Sequence, residues 1–200
     1  MTTRGTLAVI SGSSGVGKST VISQVLDRRP ELYFSVSFTT RQPREGERDG
    51  VQYHFVSRET FEEMIARGEF LEWAEYVGNY YGTSLEVIRE KLDKGIDVLL
   101  DIEVQGAAKV REKLPDAVTV FLIPPSFEEL SRRLHARGTD TEEKIQQRLE
   151  TARREAKEVV NYDYIVVNDT VEHAAGEVLA ILDAAGCRME RRLHLMEGVD

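Results

Sequence analysis

Residues 6–29 read Thr6-Leu-Ala-Val-Ile10-Ser-Gly12-Ser13-Ser14-Gly15-Val16-Gly17-Lys18-Ser19-Thr-Val21-Ile22-Ser-Gln-Val25-Leu26-Asp-Arg-Arg29. The apolar start predicts a buried strand over Thr6–Ile10. Val21, Ile22, Val25 and Leu26 recur on one face of a helix from about Lys18 to Arg29. Between them, Gly12 to Ser19 matches the whole pattern G-x-x-x-x-G-K-[ST], in the strand–loop–helix setting that gives the pattern its meaning. The glycines let successive backbone N–H groups turn inward around phosphate oxygens, and the helix start adds its partial positive charge. Gly12, Ser13, Ser14, Gly15, Val16, Gly17, Lys18 and Ser19 are therefore candidate ATP contacts. Lys18 would reach the β- and γ-phosphates, and the Ser19 hydroxyl would ligand Mg²⁺. A Gly/Ser turn with a surface lysine shares the composition but not the flanking strand and helix.

Outward from this stretch, short apolar runs alternate with amphipathic helical segments. Asp97–Asp101, Val118–Ile123 and Tyr164–Val167 read as further buried strands. Ser84–Lys94 reads as a helix stopped by Gly95, Pro125-Ser126-Phe-Glu-Glu129 opens another with a capping box, and Thr141–Val159 repeats Ile145, Leu149, Ala152, Ala156 and Val159 at helical spacing. Strands alternating with helices predict an α/β fold with a parallel sheet. Asp101 closes the run Val98-Leu99-Leu100, where a second oxygen ligand for Mg²⁺ beside the phosphates would stand.

The 200 residues include 26 Lys+Arg and 35 Asp+Glu, a formal net charge of −9 that argues against a nucleic-acid or anionic-membrane surface. No apolar run approaches the ~18 residues of a membrane span, and Leu7–Ile10 is too short for a secretory core, so a cytoplasmic address is expected. Cys187 is the single cysteine, which excludes an intrachain disulfide framework, and it is expected to be a small buried or half-buried apolar group. The four histidines show no metal-ligand spacing and receive no role.

Residues 33–83 break the βαβ rhythm. They are rich in Ser, Thr, Tyr and Gly, carry a turn at Gly46–Gly50 and one helix near Arg58–Arg67, and read as an insertion in the core. Arg41 and Arg44 flank a stiffening proline among hydroxyls, a set suited to a monophosphate, although Glu45 and Glu47 offset much of the charge and a solvated polar hairpin has the same composition. The runs Ser37-Phe-Thr39-Thr40-Arg41-Gln-Pro43-Arg44-Glu-Gly46-Glu, Asp49-Gly50-Val-Gln-Tyr53-His-Phe55-Val56, Phe70-Leu-Glu72-Trp73 through Tyr80-Tyr81-Gly82-Thr83, Asp101-Ile-Glu103-Val-Gln105-Gly106 and Arg137-Gly138-Thr139-Asp140-Thr141 together resemble guanylate kinase over about residues 5–184.

The resemblance implies a P-loop NTPase-type core (about 5–32, 84–125 and 159–184), an inserted mixed-sheet GMP-binding domain (about 33–83), a helical lid (about 126–158) and a tail from 185. It implies GMP contacts at Ser37, Arg41, Arg44, Tyr53, Glu72, Tyr81, Thr83 and Glu103, with Lys18, Arg41, Arg137 and Arg148 on the transferring phosphoryl group and Arg133 and Asn168 near the adenine. Thr83 stands where many relatives carry serine and Glu103 where several carry aspartate, changes that keep the chemistry. The residues support guanine on their own terms. A carboxylate at Glu72 can accept from guanine's two adjacent donors, and a hydroxyl at Thr83 can donate to O6, whereas adenine would turn a lone pair towards Glu72. Thr83 could instead cap the following helix, as could Ser84; Trp73 and Tyr80 read as packing residues.

The expected partners are ATP with Mg²⁺ and GMP, with dGMP as a further acceptor; the oligomeric state is open. Three other readings share parts of this pattern. A non-catalytic interaction module of the same shape would be expected to have lost phosphate-loop or lid residues, which are all present here. A GTPase would carry N-K-x-D, which is missing from the sequence, and a kinase of the same fold with another acceptor would not need the Glu72/Thr83 pair.

Overall fold

The computed structural model describes residues 4–76, 78–136, 138 and 140–196, with Tyr76 described in its backbone alone. In chain order the first elements are β1 (Leu7–Gly12), α1 (Lys18–Arg28) and β2 (Tyr33–Phe34). There follow β3 (Phe38–Thr39), β4 (His54–Phe55), α2 (Arg58–Ala66), β5 (Phe70–Tyr76) and β6 (Asn79–Ser84). The chain continues through α3 (Leu85–Asp93), β7 (Val98–Asp101), α4 (Val104–Lys113), β8 (Val118–Ile123), α5 (Phe127–Ala136) and α6 (Glu142–Glu155). A 3₁₀ segment (Ala156–Asn161), β9 (Tyr164–Val167), α7 (Val171–Gly186), α8 (Met189–Arg192) and a last 3₁₀ turn (Leu193–Met196) complete it.

One sheet is parallel throughout, in the order β2-β7-β1-β8-β9. Its central strand β1 is buried at every residue, as a strand covered on both faces must be. Ala8 and Ile10 pack with Val21, Ile22 and Val25 of α1 and Val178 and Leu182 of α7. The alternate residues Leu7 and Val9 pack with Ile88 and Leu92 of α3 and Ala107 and Val110 of α4. The second sheet is mixed, in the order β4-β3-β6-β5, and sits against α2 through Phe61, Met64 and Phe70. Helices α5 and α6 share their own small core of Leu130, Leu134, Ile145, Leu149 and Ala152.

Tyr33 and Phe34 pair with Val98 and Leu99 and form an edge strand of the parallel sheet, which a two-residue segment is too short to show by periodicity. Two expectations are corrected. The helix predicted to reach Val159 stops at Glu155 and tightens into a 3₁₀ turn with no buried residue. Its chain is pinned just beyond, where the Asp163 carboxylate accepts from the Thr119 backbone N–H and hydroxyl, both at 2.8 Å. Cys187 is exposed, because it follows the last buried residue of α7 at the C-cap.

Candidate active site

The phosphate loop leaves β1 between its two neighbours β7 and β8, the switch point at which an open parallel sheet offers a crevice beyond its strand ends. Gly17 precedes α1 with φ +98°, a conformation that costs glycine little. A Cβ there would lie 2.5 Å from the Asn168 amide nitrogen. That amide, 4% exposed, donates to the Val16 carbonyl at 2.7 Å. Arg133 donates to the same carbonyl at 3.2 Å and to the Asn168 carbonyl at 3.0 Å. Glu129 orients Arg133 at 2.7 Å, and its carboxyl is drawn down to about 2 by Arg132 and Arg133. Arg133 and Asn168 thus brace the loop at its Val16 carbonyl.

Lys18 arches over the loop and donates to the Gly12 carbonyl at 2.6 Å, while Ser19 is exposed in the first turn of α1. From α6, Arg148 donates to the Ser14 hydroxyl at 3.3 Å and pairs with Asp140 at 3.4 Å. Asp101 stands beside Ile10 in register. Burial raises its carboxyl above the ordinary range, and the Lys18 charge pulls the other way.

Across the crevice lies a cavity of about 250 Å³. The mixed-sheet side contributes Ser37, Tyr53, Glu72 and Tyr81, and the core contributes Asp101 and Glu103. Glu72 and Thr83 are eleven residues apart in sequence but face each other across β5 and β6. The Thr83 hydroxyl donates to Glu72 Oε1 at 2.7 Å, and the two residues are 1% and 6% exposed. Ser84, not Thr83, caps α3, its hydroxyl accepting from the Val87 N–H. Burial raises the Glu72 carboxyl; Thr83, Lys109 and Lys113 oppose the rise and Glu103 adds to it. Tyr53 and Tyr81 meet edge to face at 5.8 Å, and Arg41 lies 5.4 Å from the Tyr53 ring. Arg41 offers its fork to both Glu47 oxygens at 2.9 and 3.0 Å, the planar two-point geometry that a phosphate also satisfies. Arg44 lies on the same exposed loop, its backbone N–H donating to Glu47 at 2.8 Å.

The model of the family described as "Guanylate kinase" matches residues 4–185. A guanylate kinase of Desulfitobacterium hafniense (strain Y51) is 49% identical over 195 residues, covering 98% of each chain. One of Halalkalibacterium halodurans is 53% identical over 191 residues, 96% of this chain and 94% of its own. The crystal structure of guanylate kinase from Anaplasma phagocytophilum aligns with a TM-score of 0.80 at 35% identity, covering 98% of this chain and 96% of that one. The chain belongs to the guanylate kinase family.

Its fold is accordingly the P-loop type with a mixed-sheet addition. Of the residues picked out in the sequence, the guanylate kinase framework brings Ser37, Tyr53, Glu72, Tyr81, Glu103 and Asp101 to one cavity, with Thr83 behind Glu72. Lys18, Ser19, Arg148, Arg133 and Asn168 gather at the loop. Arg41 is engaged by Glu47 and Arg44 is not among the cavity-lining residues. Arg137 and Thr139 lie outside the described residues. Trp73 and Tyr80 do pack, as expected, against Phe61 and Phe70. Glu155, at the end of α6, was missed: burial raises its carboxyl while Ser13 and Lys18 draw it back. Gly106 was also missed as a site element, although it lines the cavity beside Glu72. No helix among the described residues is long and apolar enough to cross a membrane.

Proposed function

We propose that this protein transfers the γ-phosphoryl group of ATP to GMP, giving ADP and GDP. The observation that carries the reading is the buried Glu72–Thr83 pair: the Glu72 carboxylate lines a cavity shared with Asp101 and Glu103 of the core, and the Thr83 hydroxyl donates to it from behind. Glu72 accepts from guanine's two adjacent donors, the Thr83 hydroxyl turns from Glu72 to donate to O6, and Glu103 completes the polar wall. Ser37, Arg41, Arg44, Tyr53 and Tyr81 receive the GMP phosphate. The phosphate loop from Gly12 to Ser19 holds the ATP phosphates, with Arg133 and Asn168 between the loop and the adenine. dGMP fits the same contacts, since none of them is assigned to the ribose.

A phosphate monoester is already largely ionised, its second pKa being about 6, so the acceptor oxygen attacks without a general base. The chain's work is positioning and charge neutralisation by Lys18, Arg41, Arg137 and Arg148. Residues 126–158 act as a lid that excludes water from the transfer, and residues beyond 34 to about 83 carry the acceptor. Ser19 and Asp101 are oxygen donors of the kind a hard divalent cation takes, and no group of three or more His, Cys, Asp or Glu among the described residues could hold a metal. Ser19 and Asp101 would hold Mg²⁺ together with the ATP phosphates, and the ion would supply neutralisation of phosphate charge. A cytoplasmic address goes with these nucleotide substrates. The test is a coupled ADP-release assay with GMP, AMP, CMP and UMP in parallel. Turnover restricted to GMP supports the proposal; inactivity with every acceptor overturns it in favour of an interaction module.

A further inference from the structure

Glu72 sits on β5, the edge strand of the mixed sheet, which pairs with β6 on one side only. On its other side runs α4, a helix of the core. A register irregularity between Phe70 and Glu72 disturbs β5 there, and the Phe70 and Trp73 carbonyls both face α4. Unpaired edge carbonyls need donors. Lys113 donates to the Phe70 carbonyl at 3.0 Å and Lys109, one turn earlier, to the Trp73 carbonyl, with its ammonium 5.2 Å from the Trp73 ring. The two bonds bracket Leu71 and Glu72. In the first turn of the same helix, Gly106 leaves room for the carboxylate itself: a Cβ there would lie 2.9 Å from Glu72 Oε2 and 3.3 Å from its Cδ.

We propose that α4 is the platform that positions the guanine-reading carboxylate, with Gly106 as its seat and Lys109 and Lys113 as clamps on the strand that carries it. This rests on the assignment of Glu72 to guanine. The lysines are positioning residues. They touch backbone, not substrate, and their ammonium charges also favour the ionised carboxylate that guanine's donors require. Glu103 at the start of α4 opposes them, and Asp101, Tyr53 and Tyr81 line the same cavity.

The test compares the full-length wild type with the pair Lys109→Met/Lys113→Met, the charge-preserving pair Lys109→Arg/Lys113→Arg, and Gly106→Ala. Two quantities are read: steady-state KM values for GMP and ATP, and the titration of the Glu72 side-chain carboxyl by ¹³C NMR, its signal assigned by its loss in Glu72→Gln. The methionine pair should raise KM for GMP about threefold to fivefold, the range open to exposed charges, and leave KM for ATP unchanged. It should also move the Glu72 midpoint to higher pH, because the attraction that lowers it is gone, and the arginine pair should restore both. Gly106→Ala should lower kcat/KM for GMP on the order of tenfold by displacing the carboxylate. An unmoved Glu72 midpoint with unchanged KM for GMP in the methionine pair overturns the proposal, as does an equal rise in KM for ATP. If the pair does not fold, each single methionine variant is held to the same criteria. A shifted midpoint combined with an unaltered GMP:AMP preference in Glu72→Gln overturns the guanine assignment and leaves the platform standing.

Discussion

The two ends of the crevice are built on different principles. The loop end is a single run of eight residues, Gly12 to Ser19, braced by Asn168 and Arg133 on one carbonyl with Glu129 on Arg133, and carrying the cations Lys18 and Arg148. The cavity end collects side chains from β5, β6, β7 and the start of α4; it buries the Glu72 carboxylate and half-buries that of Asp101, and burial raises both. A backbone cradle suits any triphosphate and costs the fold little. A buried carboxylate opposes folding, and on the proposed reading guanine's two donors offset that cost when the base arrives. On the proposed reading, generality belongs to the main chain and selectivity to the buried carboxylate.

The comparison breaks most visibly at Lys18. Lys18→Ala should lower turnover about 10²- to 10³-fold, as removal of one preorganised charge-stabilising donor does, with an unchanged melting curve. Near-normal turnover would remove the lysine from the transfer. Glu72→Gln comes next. The amide must turn an N–H towards guanine's own donors, so kcat/KM for GMP should fall on the order of 10²-fold while KM for ATP stays put. The GMP:AMP efficiency ratio should narrow. An unchanged ratio means that Glu72 does not read the base.

The same division decides what the sequence makes legible. The phosphate loop could be read because its function needs consecutive residues between a buried run and an amphipathic one, and Val118–Ile123 and Tyr164–Val167 were readable to the residue for the same local reason. Caps were readable where a hydroxyl stands three residues before its partner, as Ser126 does for Glu129. Thr83 and Ser84 compete for one cap, and only the register of β5 against β6 turns Thr83 inward and leaves the cap to Ser84. The two-residue strand at Tyr33 is defined by its partner β7 and not by its own pattern. Gly106 matters because Glu72 arrives from a strand more than thirty residues earlier, a contact that no local spacing encodes.

Arg44→Lys sharpens the comparison on the acceptor side. An ammonium cannot reproduce a two-point fork on phosphate, so KM for GMP should rise about tenfold with ATP affinity unaffected. Titration calorimetry with each nucleotide separates this from damage to the fold, because equal losses for both would place Arg44 outside the GMP phosphate site.

The smallest expected effect is a gain. Burial holds the Glu72 carboxyl above its ordinary value near 4.5, so the native chain binds that proton more tightly than the unfolded chain. Stability must then fall as pH rises from the unfolded value through the raised one, and at neutral pH the ionised group is a net cost to the fold. Glu72→Gln removes the charge and keeps an oxygen for the Thr83 hydroxyl. If the relief is about 1 kcal/mol, the melting temperature at pH 7.5 should rise by about 2–4 °C for a chain of this length. The gain should shrink as the buffer is lowered towards pH 4.5, because the wild-type carboxyl takes up its proton more readily than a free one. The opposite sign holds for Glu47, whose carboxyl Arg41 keeps below its ordinary value and which therefore contributes stability at neutral pH, lost on acidification. Scanning calorimetry of both proteins at the two pH values decides the matter. A variant that is less stable at pH 7.5, or equally shifted at both, would show that Glu72 supports the fold and that the contrast between the two ends of the crevice does not hold.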